Sequence, residues 1–475
     1  MNFVNHVYEA NMSLIKSISG IRGTIGGIPG SGLTPVDLVS FTSAYGQWLK
    51  EEAEPVSGSR YKVVVGRDAR ISGPMFDSLV CNTLRLSGID IIELGLATTP
   101  TVEMAVMKLG ADGGIILTAS HNPRHWNALK LLNSGGEFLS AKDGDKLLKI
   151  AEAAQFSFAE VDDIGKTSKH DFLKPHINSI IELPLVKAGA IEAAGYKVVV
   201  DAVNSVGGFA IPELLRLLGV EEIICLNCDP NGEFAHNPEP LPGNLEQLAS
   251  KVKESGADLG IAVDPDVDRL ALVCEDGQMF GEEYTLVAVA DYILGHHPGN
   301  TVSNLSSSRA LKDITLKHGG NYSAAAVGEV NVVEKMKETS AVIGGEGNGG
   351  VIYPELHYGR DALVGLALVL SHLAGKKLKM SELRSQYPDY FISKNKIQLS
   401  LDTKPDDIIL AISKKYREYN PDLRDGVRID FPGSWIHVRK SNTEPILRIY
   451  AEAVSLVESE KLAVKIIEEI KLLAQ

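Results

Sequence analysis

For most of its length the chain alternates short apolar runs rich in Val and Ile with longer stretches of helical periodicity. Strands that are apolar without alternation are buried on both faces, and the helices between them supply the cover, so the pattern reads as successive parallel α/β units. The first unit has a strand at 63–65, a helix over 75–86, a strand at 89–94, a helix over 102–109 and a strand at 114–117. The second has strands at 196–201, 222–226 and 257–263 with helices over 212–218 and 245–255. The third has helices over 284–295, 310–318, 332–338 and 360–373 with strands at 301–305, 322–327 and 341–343. The tail breaks the pattern: strands at 391–401, 427–431, 436–439 and 447–453 lie among helices at 407–419 and 458–473. The expected fold class is therefore α/β, with three similar mixed α/β domains, then a smaller α+β C-terminal domain, around a central cleft. The boundaries expected are 12–157, 168–276, 277–376 and 380–475, separated by polar or weakly patterned stretches at 157–169, 276–281 and 375–379.

Charge narrows the function. With 47 Lys and Arg against 61 Asp and Glu, the formal net charge is −14, so neither sequence-independent nucleic-acid binding nor docking on an anionic membrane is expected. No apolar run approaches the ~18 residues of a membrane span. The first ten residues lack the basic segment and apolar run of a secretory signal. Patterned sequence starts at Ser13, and the first eleven residues read as a loose extension or an upstream start. Four cysteines are too few for a disulfide scaffold, and Cys225 and Cys228 alone do not make a zinc site. A cytoplasmic protein is expected.

Four loops carry chemistry. Thr118-Ala119-Ser120-His121-Asn122-Pro123 follows a strand, where open α/β sheets bind ligands, and offers a hydroxyl beside a proton acceptor; the bland reading is a polar turn. In Asp264-Pro265-Asp266-Val267-Asp268-Arg269 three alternate carboxylates can converge on one hard cation, with Arg269 as a fork for a phosphoryl oxygen. An EF-hand loop would need Gly at the sixth place, where Arg269 stands. Gly344-Gly345-Glu346-Gly347-Asn348-Gly349-Gly350 lets backbone approach a ligand while Glu346 and Asn348 bind hydroxyls; a flexible turn is the alternative. Arg439-Lys440-Ser441-Asn442-Thr443-Glu444-Pro445, with Arg448, has what a phosphate dianion requires, or is a plain hairpin turn. A nucleophile, a cation site, a polyol binder and a phosphate cradle are more economically one cleft than four coincidences.

From about Leu14 to the last helix the chain resembles the α-D-phosphohexomutase superfamily. The four loops match, in order, its phosphoserine, metal, sugar-specificity and phosphate-binding loops. Gly20-Ile21-Arg22-Gly23, Gly66-Arg67-Asp68-Ala69-Arg70 and Lys130 match as well. The resemblance implies transfer of a phosphoryl group between O1 and O6 of a hexose phosphate, with a hexose 1,6-bisphosphate as intermediate and activator. Ser120 would carry the phosphate, and Asp264, Asp266, Asp268 and Ser120 would hold Mg²⁺. Arg22 and Arg269 would offset phosphoryl charge, Lys130 would serve as acid–base, and His121 would orient the loop. Arg439, Ser441, Asn442, Thr443 and Arg448 would grip the idle phosphate, and Glu346 and Asn348 the sugar. The implied protein is a monomer or homodimer.

Departures sharpen the expectation. Pro265 and Val267 stiffen the metal loop, and Ala128 stands where Gly is usual. The sugar loop lacks its usual His, leaving His357 as the nearby substitute. Its Gly-Glu-x-Asn-Gly-Gly form, followed by Arg360-Asp361, places phosphoglucosamine mutase first and a broad phosphoglucomutase/phosphomannomutase second. A metal-dependent sugar phosphatase and a non-catalytic sugar-phosphate sensor are the rivals.

Overall fold

Four sheets organise the chain in the computed structural model, which describes residues 13–17, 20–52, 54–56, 58, 60–399, 404–440 and 446–473. The first has seven strands in the order Ile15–Ser17, Gly20–Thr24, Trp126–Leu132, Gly113–Leu117, Lys62–Arg67, Asp90–Leu96, Thr167–Lys169. The second runs Leu270–Cys274, Leu259–Val263, Lys197–Asp201, Glu222–Leu226, and the third Tyr322–Ala325, Asn300–Asn304, Ala341–Glu346, Gly350–Ile352. The fourth, Phe391–Gln398, Ile446–Ala453, Ser434–Lys440, Val427–Phe431, is antiparallel throughout. The architecture is three α/β domains and a smaller C-terminal α+β domain.

One topological device recurs. In each of the first three sheets a buried parallel strand is followed by an antiparallel neighbour: Gly113–Leu117 by Trp126–Leu132, Leu259–Val263 by Leu270–Cys274, and Ala341–Glu346 by Gly350–Ile352. The fourth sheet pairs Ser434–Lys440 with Ile446–Ala453, Lys440 opposite Leu447. All four chemistry-bearing loops are thus the connections of antiparallel strand pairs, at the strand ends where a sheet presents its backbone. A run such as Leu-Ala-Leu-Val-Cys, buried on both faces, carries no sign of its direction, so the return strands were not separable in the sequence.

The helices begin where local chemistry allows. Thr98 caps Thr99–Lys108 by accepting the Thr101 N–H, with Pro100 in the first turn, and Asp361 caps Ala362–Lys376 by accepting from Leu363 and Val364. Ala362–Lys376 and Glu282–His296 are apolar on nearly every side, which suits only a helix packed all round. They pack on each other between the second and third sheets, and a single hydrophobic core runs from Ile177 to Tyr387 through both domains. The first and last domains have cores of their own.

Some boundaries differ from expectation. The polar stretch 157–169 ends in the strand Thr167–Lys169, which pairs parallel with Asp90–Leu96. The strand expected to reach 401 ends at Gln398, and 400–403 lie outside the described residues. The helix expected over 407–419 is Pro405–Lys415 followed by the 3₁₀ turn Arg417–Tyr419, with the proline in its first turn. Pro35–Glu52, a helix of 18 residues, escaped the sequence reading because its buried face includes Thr42, Ser43 and Gly46. A Cβ at Gly46 would meet Ile89 Cδ1 at 3.1 Å, a tight contact that the glycine avoids. Among the described residues no helix is long and apolar enough to cross a membrane.

Candidate active site

The serine loop is held from beneath by an arginine. Arg70, fully buried, pairs through Nε with Asp68 at 3.0 Å. Its two terminal nitrogens donate to the carbonyls of Ser120 (2.5 Å), Asn122 (2.7 Å), Pro123 (2.8 Å) and Trp126 (3.0 Å). Asp68 also accepts from the Thr118 hydroxyl at 2.7 Å, and Thr118 Oγ1 accepts the Ser120 N–H at 2.9 Å. With its carbonyls so engaged, the turn forces Ser120 to φ +48°, a region most side chains avoid. The Ser120 hydroxyl then donates to Asp264 Oδ2 at 2.6 Å.

Asp264, Asp266 and Asp268 converge because Val267 takes φ +63°, reversing the chain in the space of one residue. Asp264 Oδ1 accepts the N–H groups of Asp268 and Arg269 at 3.2 and 3.1 Å. Lys130 donates to Asp266 Oδ2 at 2.6 Å and Asp268 Oδ2 at 3.2 Å, Thr99 Oγ1 donates to Asp266 Oδ2 at 2.5 Å, and Arg360 donates to Asp268 Oδ2 at 2.7 Å. The other oxygen of Asp266 and of Asp268 is buried with no hydrogen-bond partner among the described residues. Burial, then Asp268 and Asp266, push the Asp264 carboxyl well up. Burial acts the same way on Asp268, but Arg360, Lys130 and Arg269 outweigh it and hold that carboxyl below the usual range. Oxygen donors with two orphaned acceptors and one carboxyl strained by its neighbours fit a hard divalent cation.

Arg360 ties this loop to the sugar loop. Besides Asp268 it binds Glu329 at 2.9 Å and Glu346 at 2.6 Å. Glu346 also accepts from Asn304 Nδ2 (2.8 Å) and the Gly328 N–H (3.1 Å). Asn348 Oδ1 accepts the Gly350 N–H at 3.2 Å. A Cβ on Gly347 would fall 1.9 Å from Glu283 Oε2, so a larger residue there would displace that carboxylate.

Ser120, His121, Lys130, Arg22, Arg269, Glu346, Asn348, Arg439 and Arg448 all line one cleft of about 540 Å³. Arg439 is braced by Asp425 at 3.1 Å. Ser441, Asn442 and Thr443 lie outside the described residues. His357 is a correction: it does not line the cleft. The turn between Tyr353 and Arg360 carries it behind the site, where its ring meets Asp361, Glu103 and His176. The sequence reading missed Thr99, Glu239, Glu283, Lys394 and Tyr450 at the site. Arg70 and Arg360 were visible only as parts of quoted motifs.

Residues 14–158, 174–277 and 281–390 match the phosphoglucomutase/phosphomannomutase alpha/beta/alpha domains I, II and III, and 398–469 match the C-terminal domain of the same family. The chain belongs to the phosphoglucomutase/phosphomannomutase family, within the α-D-phosphohexomutase superfamily. A phosphoglucomutase/phosphomannomutase of Thermococcus kodakarensis is 36% identical over 94% of this chain and 98% of its own. A probable phosphoglucosamine mutase of Methanopyrus kandleri is 32% identical over 92% and 93%. A phosphoglucomutase/phosphomannomutase family protein of Burkholderia thailandensis superposes with a TM-score of 0.82 at 27% identity, covering 99% of both chains. This phosphohexomutase is accordingly an isomerase, transferring phosphate within a hexose phosphate.

Proposed function

We propose that the enzyme moves a phosphoryl group between O1 and O6 of a hexose phosphate through phosphorylated Ser120 and a hexose 1,6-bisphosphate. We place phosphoglucosamine mutase first and a broad phosphoglucomutase/phosphomannomutase second. The observation that carries the reading is Ser120 Oγ at 2.6 Å from Asp264, in the same cleft as Arg439 and Arg448. A serine beside a carboxylate trio serves phosphoryl transfer, and two arginines elsewhere on the wall serve a phosphate that is not reacting. A phosphatase needs no second anion grip, and a sensor needs no strained serine.

In the first half-reaction the Oγ–P bond of phosphoserine 120 breaks as a sugar hydroxyl oxygen bonds to phosphorus, and the hydroxyl proton passes to a base. The second half is the reverse with the sugar turned around, returning its other phosphate to Ser120. Mg²⁺ held by Asp264, Asp266, Asp268 and the phosphoserine would neutralise charge on the phosphoryl oxygens. Arg22 and Arg269 face the same space. His121 suits the role of base: its Nδ1 is 3.4 Å from Ser120 Oγ, and burial, then Arg269 and Arg22, keep the ring neutral. Lys130 suits it poorly. Burial lowers its pKa, but Asp266 and Asp268 more than restore it in the metal-free site, which favours the ammonium there. Its work is charge neutralisation.

For the sugar, Glu283 beside Gly347 favours an amino group. The carboxyl is half-buried at the sugar loop and accepts only the Ser308 N–H at 2.8 Å among the hydrogen bonds described, and burial, only partly offset by Lys394, pushes its pKa well up. An ammonium beside it would offset that desolvation. Turnover should be measured in parallel on glucosamine, glucose and mannose phosphates with Ser120-phosphorylated protein. Conserved sugar monophosphate with phosphate mapped to Ser120 supports the mutase. Stoichiometric release of inorganic phosphate, or full turnover by Ser120→Ala, refutes it. Glu283→Gln should lower kcat/KM more for glucosamine phosphate than for glucose phosphate.

A further inference from the structure

Behind the cleft, side chains from three parts of the fold meet in a sealed cluster. His176 comes from the helix Leu173–Ile181, His357 and Asp361 from the turn leading into Ala362–Lys376, and Glu103 from Thr99–Lys108. None of the four is more than 4% exposed, which leaves water no ready access. His176 Nε2 and His357 Nε2 both point at one atom, Asp361 Oδ2, at 2.9 and 3.3 Å. The other oxygen of Asp361 is spent on capping the helix, accepting from Leu363 and Val364.

Of the remaining nitrogens only one is paired. His176 Nδ1 is 3.0 Å from Thr101 Oγ1, which is itself 2.7 Å from Thr98 Oγ1. His357 Nδ1 faces Glu103 Oε2 at 3.4 Å, too far to count as a good hydrogen bond. Both Glu103 oxygens and His357 Nδ1 therefore lack a hydrogen-bond partner among the described residues, although all are buried. The seat for Glu103 is kept open by Gly359, where a Cβ would fall 2.0 Å from Oε2. A buried carboxyl with no hydrogen-bond partner is costly, so the cluster is incomplete as it stands.

We propose that His176 Nε2, His357 Nε2 and Asp361 Oδ2 form a second metal site, for a zinc-like transition dication, distinct from the aspartate trio. The three donor atoms lie within 4.8 Å of one another. A tetrahedral ion with bonds of about 2.0–2.1 Å separates its donors by roughly 3.4 Å, so a slight spreading of the present contacts admits it. The rings stand at 83° to each other, letting both nitrogens approach without overlap. Two imidazoles and one carboxylate select a transition dication over Mg²⁺, which the all-oxygen trio takes. Glu103 and Thr101 are the outer partners that fix which ring nitrogen is free, and a cation drawing on His357 Nε2 would strengthen the Nδ1–H bond to Glu103. The adjoining helix N-terminus opposes a cation only weakly. Such an ion would tie the second domain to the third, with Glu103 of the first domain held at its edge, away from the reacting atoms.

The test uses the full-length protein, prepared metal-poor and titrated with Co²⁺ under excess Mg²⁺ to fill the aspartate trio. The expected result is one Co²⁺ per chain, with the visible absorption of a low-coordinate nitrogen-ligated site and a raised thermal midpoint. His357→Asn should abolish the signal, Glu103→Gln should weaken binding 10- to 100-fold, and Cys225→Ser should leave it intact. Where His357→Asn does not fold, Glu103→Gln and Thr101→Val decide. Absence of a saturable equivalent, or binding indifferent to Glu103→Gln and Thr101→Val, overturns the site and leaves a hydrogen-bonded cluster with a protonated Glu103. Loss at Cys225→Ser overturns it too.

Discussion

Lys130→Met separates two jobs that one ammonium could perform. The lysine lies 2.6 Å from Asp266 and 3.2 Å from Asp268. At an effective dielectric of about 20 these contacts amount to roughly 6 and 5 kcal/mol of attraction. Desolvation consumes much of that, and removing one partner of a buried ion pair costs about 3–5 kcal/mol net. Methionine keeps the stem against Phe138, whose ring centroid is 5.5 Å from Nζ, so the loss is of charge rather than packing.

Without Mg²⁺ the variant should therefore be less stable by about 3–5 kcal/mol. Mg²⁺ affinity should move the other way. An ammonium and a cation sharing two carboxylates repel by about 3 kcal/mol per unit charge at ~5 Å, so its removal should tighten Mg²⁺ at least ~10-fold after relaxation. Each tenfold gain adds about 1.4 kcal/mol of ligand-linked stability, and the gap between melting with Mg²⁺ and with EDTA should widen. Turnover should fall about 100-fold or more, as when one preorganised charge is lost from an active site. Calorimetric Mg²⁺ titration and paired thermal scans measure both signs. Weaker Mg²⁺ binding, or an unchanged metal-free stability, would refute the assignment of Lys130 as a cation competing for the trio.

Thr99→Val removes the 2.5 Å bond to Asp266 while leaving the main-chain bond between the same residues at 2.9 Å. It should cost about 1.5–3 kcal/mol by denaturant titration and loosen Mg²⁺. Gly349→Ala combines φ +83° with a Cβ 2.3 Å from the Leu270 carbonyl, so about 3 kcal/mol or more of stability should be lost, seen as a drop in soluble yield and melting midpoint. His437 is pushed down to about 4 by burial, aided by Arg428 and Arg439 and only partly opposed by Asp425. Its ring nitrogens meet Ser306 Oγ and the Asp425 carbonyl. The unfolded chain binds the proton first, so stability is whole above pH ~6.5 and falls by roughly 3 kcal/mol towards pH ~4. His437→Gln should flatten that part of a stability–pH curve.

Much of the fold was legible because period and composition carry it locally. Strands such as Lys62–Arg67 and Lys197–Asp201, and helices such as Glu282–His296, announce themselves by apolar content and length. What stayed hidden depends on contact at a distance. Pro35–Glu52 buries Thr42 and Ser43, and Gly46 faces Ile89 and Leu84, so only the docked partners make that face a core face. Thr167–Lys169 is fully exposed and becomes a strand only through its pairing with Asp90–Leu96. At the site, Ser120, the three aspartates and Glu346 stood out because reactive residue types crowd into short loops.

The partners that make those loops workable did not, and the reason is electrostatic. Three carboxylates held together in a buried turn need cations, and short loops have no room for enough of them. Lys130 arrives from the first domain and Arg360 from the third, while Arg269 alone is local. Arg360 in turn neutralises Glu329 and Glu346, so one side chain balances three acids. Asp268 is consequently satisfied only when two other domains are docked, and the trio acquires its charge balance from the assembled cleft rather than from its own sequence. His357 shows the same logic from the opposite side. Its distance along the chain from the sugar loop is short, yet the turn between Tyr353 and Arg360 carries the ring inward, where Nε2 meets Asp361 at 3.3 Å behind the cleft wall.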